Sequence, residues 1–551
     1  MRDQLINQYA ENALKTGCLT IDLISLTLLD DILAKIEVQV DFQIGRYVRS
    51  LPLLLLHKSL PKSSHLDISK PLKKLKEAVT NCQPDLDAFQ ASKIKDRIEA
   101  KKVIESLPFD WKTALPLLYL LMDRSTDLEP YKDRLLDVHE LINSVASTFC
   151  LAKWEEVTYL SNEGYSLSCC KARRNPMGDV SQNIQFFHNS PEKLKVRQDL
   201  LNGVKNSECD FCWLKEDSFL SERTIVSEWH MNYFYDVIES GLGENYVPSS
   251  VGLTSTQTCQ LKCMYCSPQY SSSWESEIKQ KGFYKLVKYD YNRTDFDVSE
   301  SKNMELFWKL WPEWKKKANK ITITGGEPLL SRDTWMLMDA VLDGSWKPLS
   351  FVINTNLDVP GKLIDTLIEQ TKKLQPGVLT IATSGEAFGP QLEYVRYGMS
   401  SDRWLNNVKR FLSETEGVKV KLMTSINLLS YSTFTQLAKI FLDLRDLYGS
   451  RIEKITFKYL VSPEFLDARL LPKEVLEKFK SEMREMSNDP RLLAIEKVSI
   501  NNLLTFLSTD VVDYDRHHKN MCMFFKEYDQ RRGTDLAKTF PELVGIGDRY
   551  E

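Results

Sequence analysis

Six short runs rich in β-branched residues, at 250–255, 320–324, 350–354, 377–383, 418–426 and 452–460, are separated by helical stretches such as 334–342, 362–374, 403–412 and 433–444. No other feature restricts the fold as much. A strand, a crossover helix and a next strand pair in parallel with right-handed connections, so repeating the unit builds an α/β sheet with its chemistry at the C-terminal strand ends. About six such units predict a partial barrel, open on one side.

The flanking regions read differently. Up to about residue 148 the chain is expected to be helical: Ile68, Leu72, Leu75 and Val79 follow a helical period, as do Leu135, Val138, Leu141, Ile142, Val145 and Phe149. Pro61, Pro71, Pro84 and Pro116 divide that region into short helices, and no catalytic constellation occurs in it. Val157 and Tyr159, then Tyr165 and Leu167, alternate around Asn162-Glu163-Gly164 and predict a β-hairpin. A helix over 191–204 leads to Cys209-Asp210-Phe211-Cys212, and after Pro472 the chain is again mainly helical. The expected division is 1–148, 149–246, 247–471 and 472–551.

Charge and hydropathy exclude several classes. The 551 residues carry 72 Lys+Arg against 76 Asp+Glu, a net of −4, so binding nucleic acid through bulk charge is not expected. The longest apolar runs, 51–56 and 114–122, fall well short of the ~18 residues of a membrane span. Met1-Arg2-Asp3-Gln4 lacks the apolar core of a signal peptide, so a cytoplasmic, reducing setting is expected. There, the 11 cysteines are better read as metal ligands or catalytic groups than as crosslinks. Cys18, Cys82 and Cys522 stand apart; the other eight fall between Cys150 and Cys266.

Cys259-Gln260-Leu261-Lys262-Cys263-Met264-Tyr265-Cys266 follows the first of the six strands directly. A structural zinc or a closed [4Fe–4S] cluster takes four protein ligands. Three thiolates suit a cubane with one open iron, able to chelate a small molecule; a zinc knuckle borrowing a distant fourth ligand is the plainer alternative. Thr324-Gly325-Gly326-Glu327-Pro328 ends the next strand, on the same rim. Paired glycines allow close backbone approach to a ligand, and Glu327 offers an acceptor for an ammonium group.

Over 251–471, these two motifs resemble the radical S-adenosylmethionine (radical SAM) superfamily. The resemblance implies a partial (β/α)6 barrel, a [4Fe–4S] cluster on Cys259, Cys263 and Cys266, and S-adenosylmethionine at the open iron. It also implies cofactor contacts by Tyr265 beside the adenine, by Gly325, Gly326 and Glu327, and by Ser384, Glu386 and Arg396 near the ribose and carboxylate. Asn356 and Asn427, at the ends of the third and fifth strands, are further cofactor candidates, with loop capping as the plainer reading. Upstream, Cys150, Cys169, Cys209 and Cys212 resemble the ligands of a twitch or SPASM auxiliary-cluster module, here before the barrel. Gly164 to Cys169 has the family's glycine-to-cysteine spacing; Cys170 is the substitute, and zinc on the same ligands is the alternative to a [4Fe–4S] or [2Fe–2S] cluster. The segment 213–223 and Ser271-Ser272-Ser273-Trp274 add to the likeness.

The implied function is reductive cleavage of S-adenosylmethionine and hydrogen abstraction from a peptide or protein side chain, with a flavodoxin- or ferredoxin-type electron donor. The alternatives are the same chemistry on a nucleotide, sugar or small metabolite, or a zinc-stabilised interaction protein without catalysis. Of the remaining residues, His517-His518 reads as a surface pair, Lys315-Lys316-Lys317 as a solvated helix face and 521–525 as core. Arg531-Arg532 is positioned to reach the barrel mouth.

Overall fold

A computed structural model describes residues 18–21, 64–67, 128–160, 165–169, 175–176, 186–213, 216, 222–284 and 300–543. The chain forms two compact units, one of residues 1–151, 200–203 and 214–241, the other of 152–199, 204–213 and 242–551.

In the first unit, strands β1 (Cys18–Ile21) and β2 (Ser64–Asp67) pair antiparallel, where helix alone was expected. The 68–79 helical period lies outside the described residues. Helix α1 (Leu128–Val145) carries the second period, burying Leu135, Val138, Leu141 and Ile142. Arg223 donates to the Phe149 carbonyl at 2.6 Å and to Asn143 Oδ1 at 3.1 Å, which ties 222–228 to the end of that helix.

The second unit is α/β, built on a nine-stranded sheet. Its strands are β3 (Glu156–Leu160), β4 (Tyr165–Leu167), β5 (Asn175–Pro176), β6 (Ser250–Thr254), β8 (Lys320–Thr324), β9 (Ser350–Thr355), β10 (Leu379–Ser384), β12 (Lys419–Met423) and β13 (Ile452–Ile455). Two-residue strands β7 (Lys262–Cys263) and β11 (Arg396–Tyr397) pair separately. The order is β13-β12-β10-β9-β8-β6-β3-β4-β5, parallel from β13 through β3 and antiparallel thereafter. All six expected strands therefore occur, in consecutive neighbouring positions. The 156–167 hairpin also occurs, but not as a separate module: β3 pairs in parallel with β6 and extends the sheet. Its alternating residues predicted strand pairing but carried no information on a third partner.

One sheet face is sealed. Val251, Leu253, Ile321, Ile323, Phe351, Ile353, Ile381, Val420 and Leu422 are at most 1% exposed. They belong to one core with Leu337 and Met338 of α2 (Arg332–Leu342), Leu367 and Ile368 of α3 (Gly361–Thr371), Phe411 of α4 (Ser401–Glu414) and Phe441 of α5 (Phe434–Tyr448). Apolar residues at every second strand position meet apolar helix stripes, the packing that parallel sheets require. The C-terminal region is helical, its longest helix being α6 (Tyr514–Arg532), and short turns at Leu536–Thr539 and Pro541–Leu543 follow. Met521, Phe524 and Phe525 join the core as expected. His517 and His518 do not form a surface pair: both are buried, with His518 stacked on Tyr514 and its Nδ1 3.8 Å from Cys522 Sγ. Lys317 also departs from a solvated face, sitting 3.5 Å above the Tyr246 ring and 3.4 Å from Glu155.

Candidate functional site

The three-cysteine loop follows β6 at its C-terminal end and is held at several of its backbone groups. Ser271 Oγ donates to the Leu261 carbonyl at 2.7 Å, Trp274 Nε1 to the Cys263 carbonyl at 2.8 Å, and Ser273 Oγ to the Cys259 carbonyl at 2.8 Å. The Cys259 amide donates to Ser272 Oγ at 3.2 Å. The Ser271–Trp274 motif thus has a structural purpose: Ser271 also caps the helix Ser272–Lys281, so one turn of helix grips the loop. Arg532, at the end of α6, donates to the Lys262 carbonyl at 2.7 Å and is stacked 4.3 Å from Trp274 and 4.0 Å from Tyr528. Its guanidinium meets Glu277 at 3.3 Å, a carboxylate that also accepts from Lys262 at 2.6 Å.

The Gly325-Gly326-Glu327 turn is welded to the same loop. The Gly326 amide donates to the Thr256 carbonyl at 2.6 Å and the Glu327 amide to the Thr258 carbonyl at 2.7 Å. Gly325 has φ +132°, and a Cβ there would sit 2.6 Å from the Thr256 carbonyl oxygen; at Gly326 it would sit 2.4 Å from that of Thr258. The glycines therefore admit the cysteine loop itself. Glu327 is also occupied by its own fold: its carboxylate accepts from Thr355 Oγ1 at 2.7 Å, the Asn356 amide at 2.8 Å and the Leu329 amide at 3.0 Å. Burial pushes its pKa up to about 7 against those three hydrogen bonds.

Strands β7 and β11 place Arg396 opposite Cys263, and the Met264 amide donates to the Val395 carbonyl at 2.8 Å. Arg396 grips Glu386 with Nε to Oε2 and Nη2 to Oε1, each at 2.8 Å, while its Nη1 faces Cys263 Sγ at 3.8 Å. The Tyr265 hydroxyl donates to Glu386 Oε1 at 2.9 Å. The expected residues Tyr265, Glu386, Arg396 and Cys263 are thus joined in one network. Burial works against the Arg396 charge, but Glu386, Tyr265 and Cys263 outweigh it and hold its pKa above the ordinary value.

All three thiols titrate high. Burial raises Cys259, Cys263 and Cys266, and mutual repulsion raises Cys259 and Cys266 further, the latter to about 12; Arg396 opposes this at Cys263 and Cys266. Burial and crowding thus favour the protonated form of all three thiols. Asn356 Oδ1 accepts from Gln260 Nε2 at 3.1 Å and from the Asp358 amide at 2.8 Å. Asn427 is fully buried, with its Oδ1 and Nδ2 bonded within its own loop to the Leu429 amide and the Ser425 carbonyl. Ser384 is half-buried at the end of β10.

Of the second cysteine set, Cys150 belongs to the first unit, where Ser227 Oγ lies 3.9 Å from its sulfur. Cys169, Cys209 and Cys212 belong to the second. Cys209 ends a short turn capped by Asn206, and Cys212 follows on the helical turn Asp210–Trp213. Cys170 lies outside the described residues.

A buried polar network that the sequence reading missed surrounds Cys169 and Cys209. Lys153 Nζ donates to Glu208 Oε1 at 2.7 Å and to Ser168 Oγ at 2.9 Å. Burial disfavours its charge, but Cys169, Cys209 and Glu208 together hold its pKa above the ordinary value. Lys193, 2.8 Å from Ser166 Oγ, is pushed down to about 7 by burial despite Glu208. The Lys-x3-Arg spacing at Lys193 and Arg197 was the available signal, since it puts both cations on one helix face. Among the described residues, no three His, Cys, Asp or Glu side chains meet closely enough to hold a single metal ion. Compared with the models of known protein families and with curated proteins, the chain matches none.

Proposed function

We propose that this chain is a radical S-adenosylmethionine enzyme acting on a peptide or protein side chain, with strands β6, β8, β9, β10, β12 and β13 as a six-stranded partial barrel. One observation carries the reading: a loop of three thiols at the C-terminal end of one parallel strand is bonded, amide to carbonyl, to a Gly-Gly-Glu turn at the end of the next. Cys259, Cys263 and Cys266 would hold a [4Fe–4S] cluster, each sulfur on a separate iron. When bound, that cluster and S-adenosylmethionine supply one-electron cleavage of the sulfonium to a 5′-deoxyadenosyl radical, which takes hydrogen from the substrate.

The protein's part is preorganisation. Ser271, Ser273, Trp274 and Arg532 fix the loop carbonyls before any ligand arrives. Arg396 is fixed by Glu386 through Nε and Nη2, so that its Nη1 screens the Cys263 sulfur. Tyr265 and Ser384 line the same rim in this reading. Cys169, Cys209 and Cys212 would be ligands of an auxiliary cluster, near which Lys153 offsets thiolate charge.

Anaerobic loading with iron and sulfide tests the proposal. The expected result is a brown protein with acid-labile sulfide, whose reduced-state paramagnetic spectrum changes on adding S-adenosylmethionine. Zinc without iron or sulfide overturns the reading. Iron in Cys209→Ala but not in the first site of Cys263→Ala is the expected pattern for the two cysteine sets.

A further inference from the structure

The turn that follows β9 holds a strained residue. Leu357 is fully buried with φ +54°, in the left-handed region that a bulky side chain rarely adopts. Such strain persists only where surrounding bonds over-determine it, and it gathers at ligand-binding sites. Here those bonds are on both sides of the residue. The Leu357 amide donates to Thr355 Oγ1 at 3.0 Å, and its carbonyl accepts from Asn407 Nδ2 at 2.8 Å. The Asp358 carboxylate accepts from Arg403, with Nη2 to Oδ2 at 2.8 Å, and from the Ser400 amide at 2.9 Å.

This turn fixes one side chain of the cysteine loop. Asn356 Oδ1 and the Asp358 carbonyl accept from Gln260 Nε2 at 3.1 and 3.0 Å, which uses both of its N–H donors. Asn356 Oδ1 also accepts from the Asp358 amide at 2.8 Å, so its own orientation is set. A flipped Gln260 amide would put oxygen against two oxygens. Gln260 Oε1 is therefore held in place, and it is buried with no donor. Ser255 Oγ, at the root of the same loop, is also buried and unpartnered, but a hydroxyl rotates and commits to neither role.

A fixed, buried acceptor without a donor is costly. Gln260 directly follows Cys259, and the Asn356 amide donates to Glu327. The sequence expectation gives an ammonium group to Glu327, yet its carboxylate already holds three donors of its own fold. Gln260 Oε1 is the acceptor left over in this network. The loop that carries it meets solvent: Thr258 is exposed, and Gln260, Tyr265 and Cys266 are half-buried.

We propose that Gln260 Oε1 accepts a hydrogen bond from the α-amino group of the cofactor held at the three-cysteine loop, with the strained 356–358 turn as its support. An amino group keeps N–H donors whether it is a free ammonium or bound to a metal through nitrogen. The assignment deepens the radical-enzyme reading and rests on it for the ligand.

The test is a comparison of two ligands. The full chain, loaded anaerobically with iron and sulfide, is dialysed against S-adenosylmethionine and against the analogue with hydrogen in place of the α-amino group. The ratio of the two dissociation constants is read in chains whose iron content matches the wild type. Gln260→Lys keeps a donor for Asn356 and Asp358 but removes the acceptor, and Gln260→Met, uncharged and of similar length, is measured beside it. Both should lower the preference for S-adenosylmethionine about tenfold, the size of one hydrogen bond to a charged group. Gln260→Glu, which keeps an acceptor, should retain the preference. An unchanged ratio in Gln260→Lys and Gln260→Met overturns the proposal, since the oxygen would then hold only solvent or the side chain only brace the loop. A fall in Gln260→Glu equal to that in Gln260→Met overturns it as well. A wild-type chain with full iron and sulfide that binds neither ligand overturns the radical-enzyme reading, and the proposal with it.

Discussion

Single residues in this site serve each other before they serve a ligand. Gly326 shows this most directly, since a Cβ there would meet the Thr258 carbonyl oxygen at 2.4 Å. Gly326→Ala must separate the two loops, and a cost of about 1–3 kcal/mol is expected, typical of overpacking. The checks are a lower melting temperature and a lower iron content after loading. Glu327 gives a pH signature. Its folded pKa of about 7 lies above the unfolded value of about 4.3, so the folded state binds the proton more tightly. This contribution, at most about 4 kcal/mol, is complete below the unfolded pKa and is lost as pH rises through the folded one. The melting temperature of the metal-free protein should therefore fall more between pH 5 and pH 8 than that of Glu327→Gln; equal falls would contradict the assignment. The identities of Cys259, Glu327, Glu386 and Arg396 stood out in the sequence. Their partners did not, because Glu386 and Arg396 meet from either side of the short helix Pro390–Val395 and Glu327 reaches to β9, and spacing alone carries no tertiary contact.

At the scale of elements, local pattern succeeded where the packing was regular. The 320–324 strand has the expected bounds, and the helices at 332–342 and 401–414 run slightly beyond theirs. The 452–460 run stops early at Ile455, and beyond it Tyr459 makes only an isolated bridge to Ile426. Apolar alternation continued there, but the neighbouring strand had already ended at Met423. Helix α6 was legible as a core helix, yet its grip on the cysteine loop depends on the final residue, Arg532. Arg532→Met should cost about 1–3 kcal/mol, because the Lys262 carbonyl loses its donor while Lys262 still neutralises Glu277. Iron retention during desalting should fall in this variant and in Trp274→Phe, with the far-ultraviolet dichroism unchanged. Unaltered retention in both would show that the loop needs neither support.

For the whole molecule, the alternation of strands and helices was enough to specify a mainly parallel α/β sheet and the rim that carries its conspicuous motifs. What it could not specify was the division of the chain. The helix Pro191–Leu201 and the segments beside it contribute to both compact units, since a unit is defined by contacts between distant residues rather than by composition. The second cysteine set is divided in the same way, with Cys150 in one unit and Cys169, Cys209 and Cys212 in the other. The radical-enzyme reading is tested most directly by incubating the iron-loaded full chain with S-adenosylmethionine and a strong one-electron reductant under strict anaerobiosis. Formation of 5′-deoxyadenosine and methionine, absent from Cys263→Ala prepared in parallel, is the predicted result. A wild-type chain carrying its full complement of iron and sulfide that releases no 5′-deoxyadenosine would contradict it.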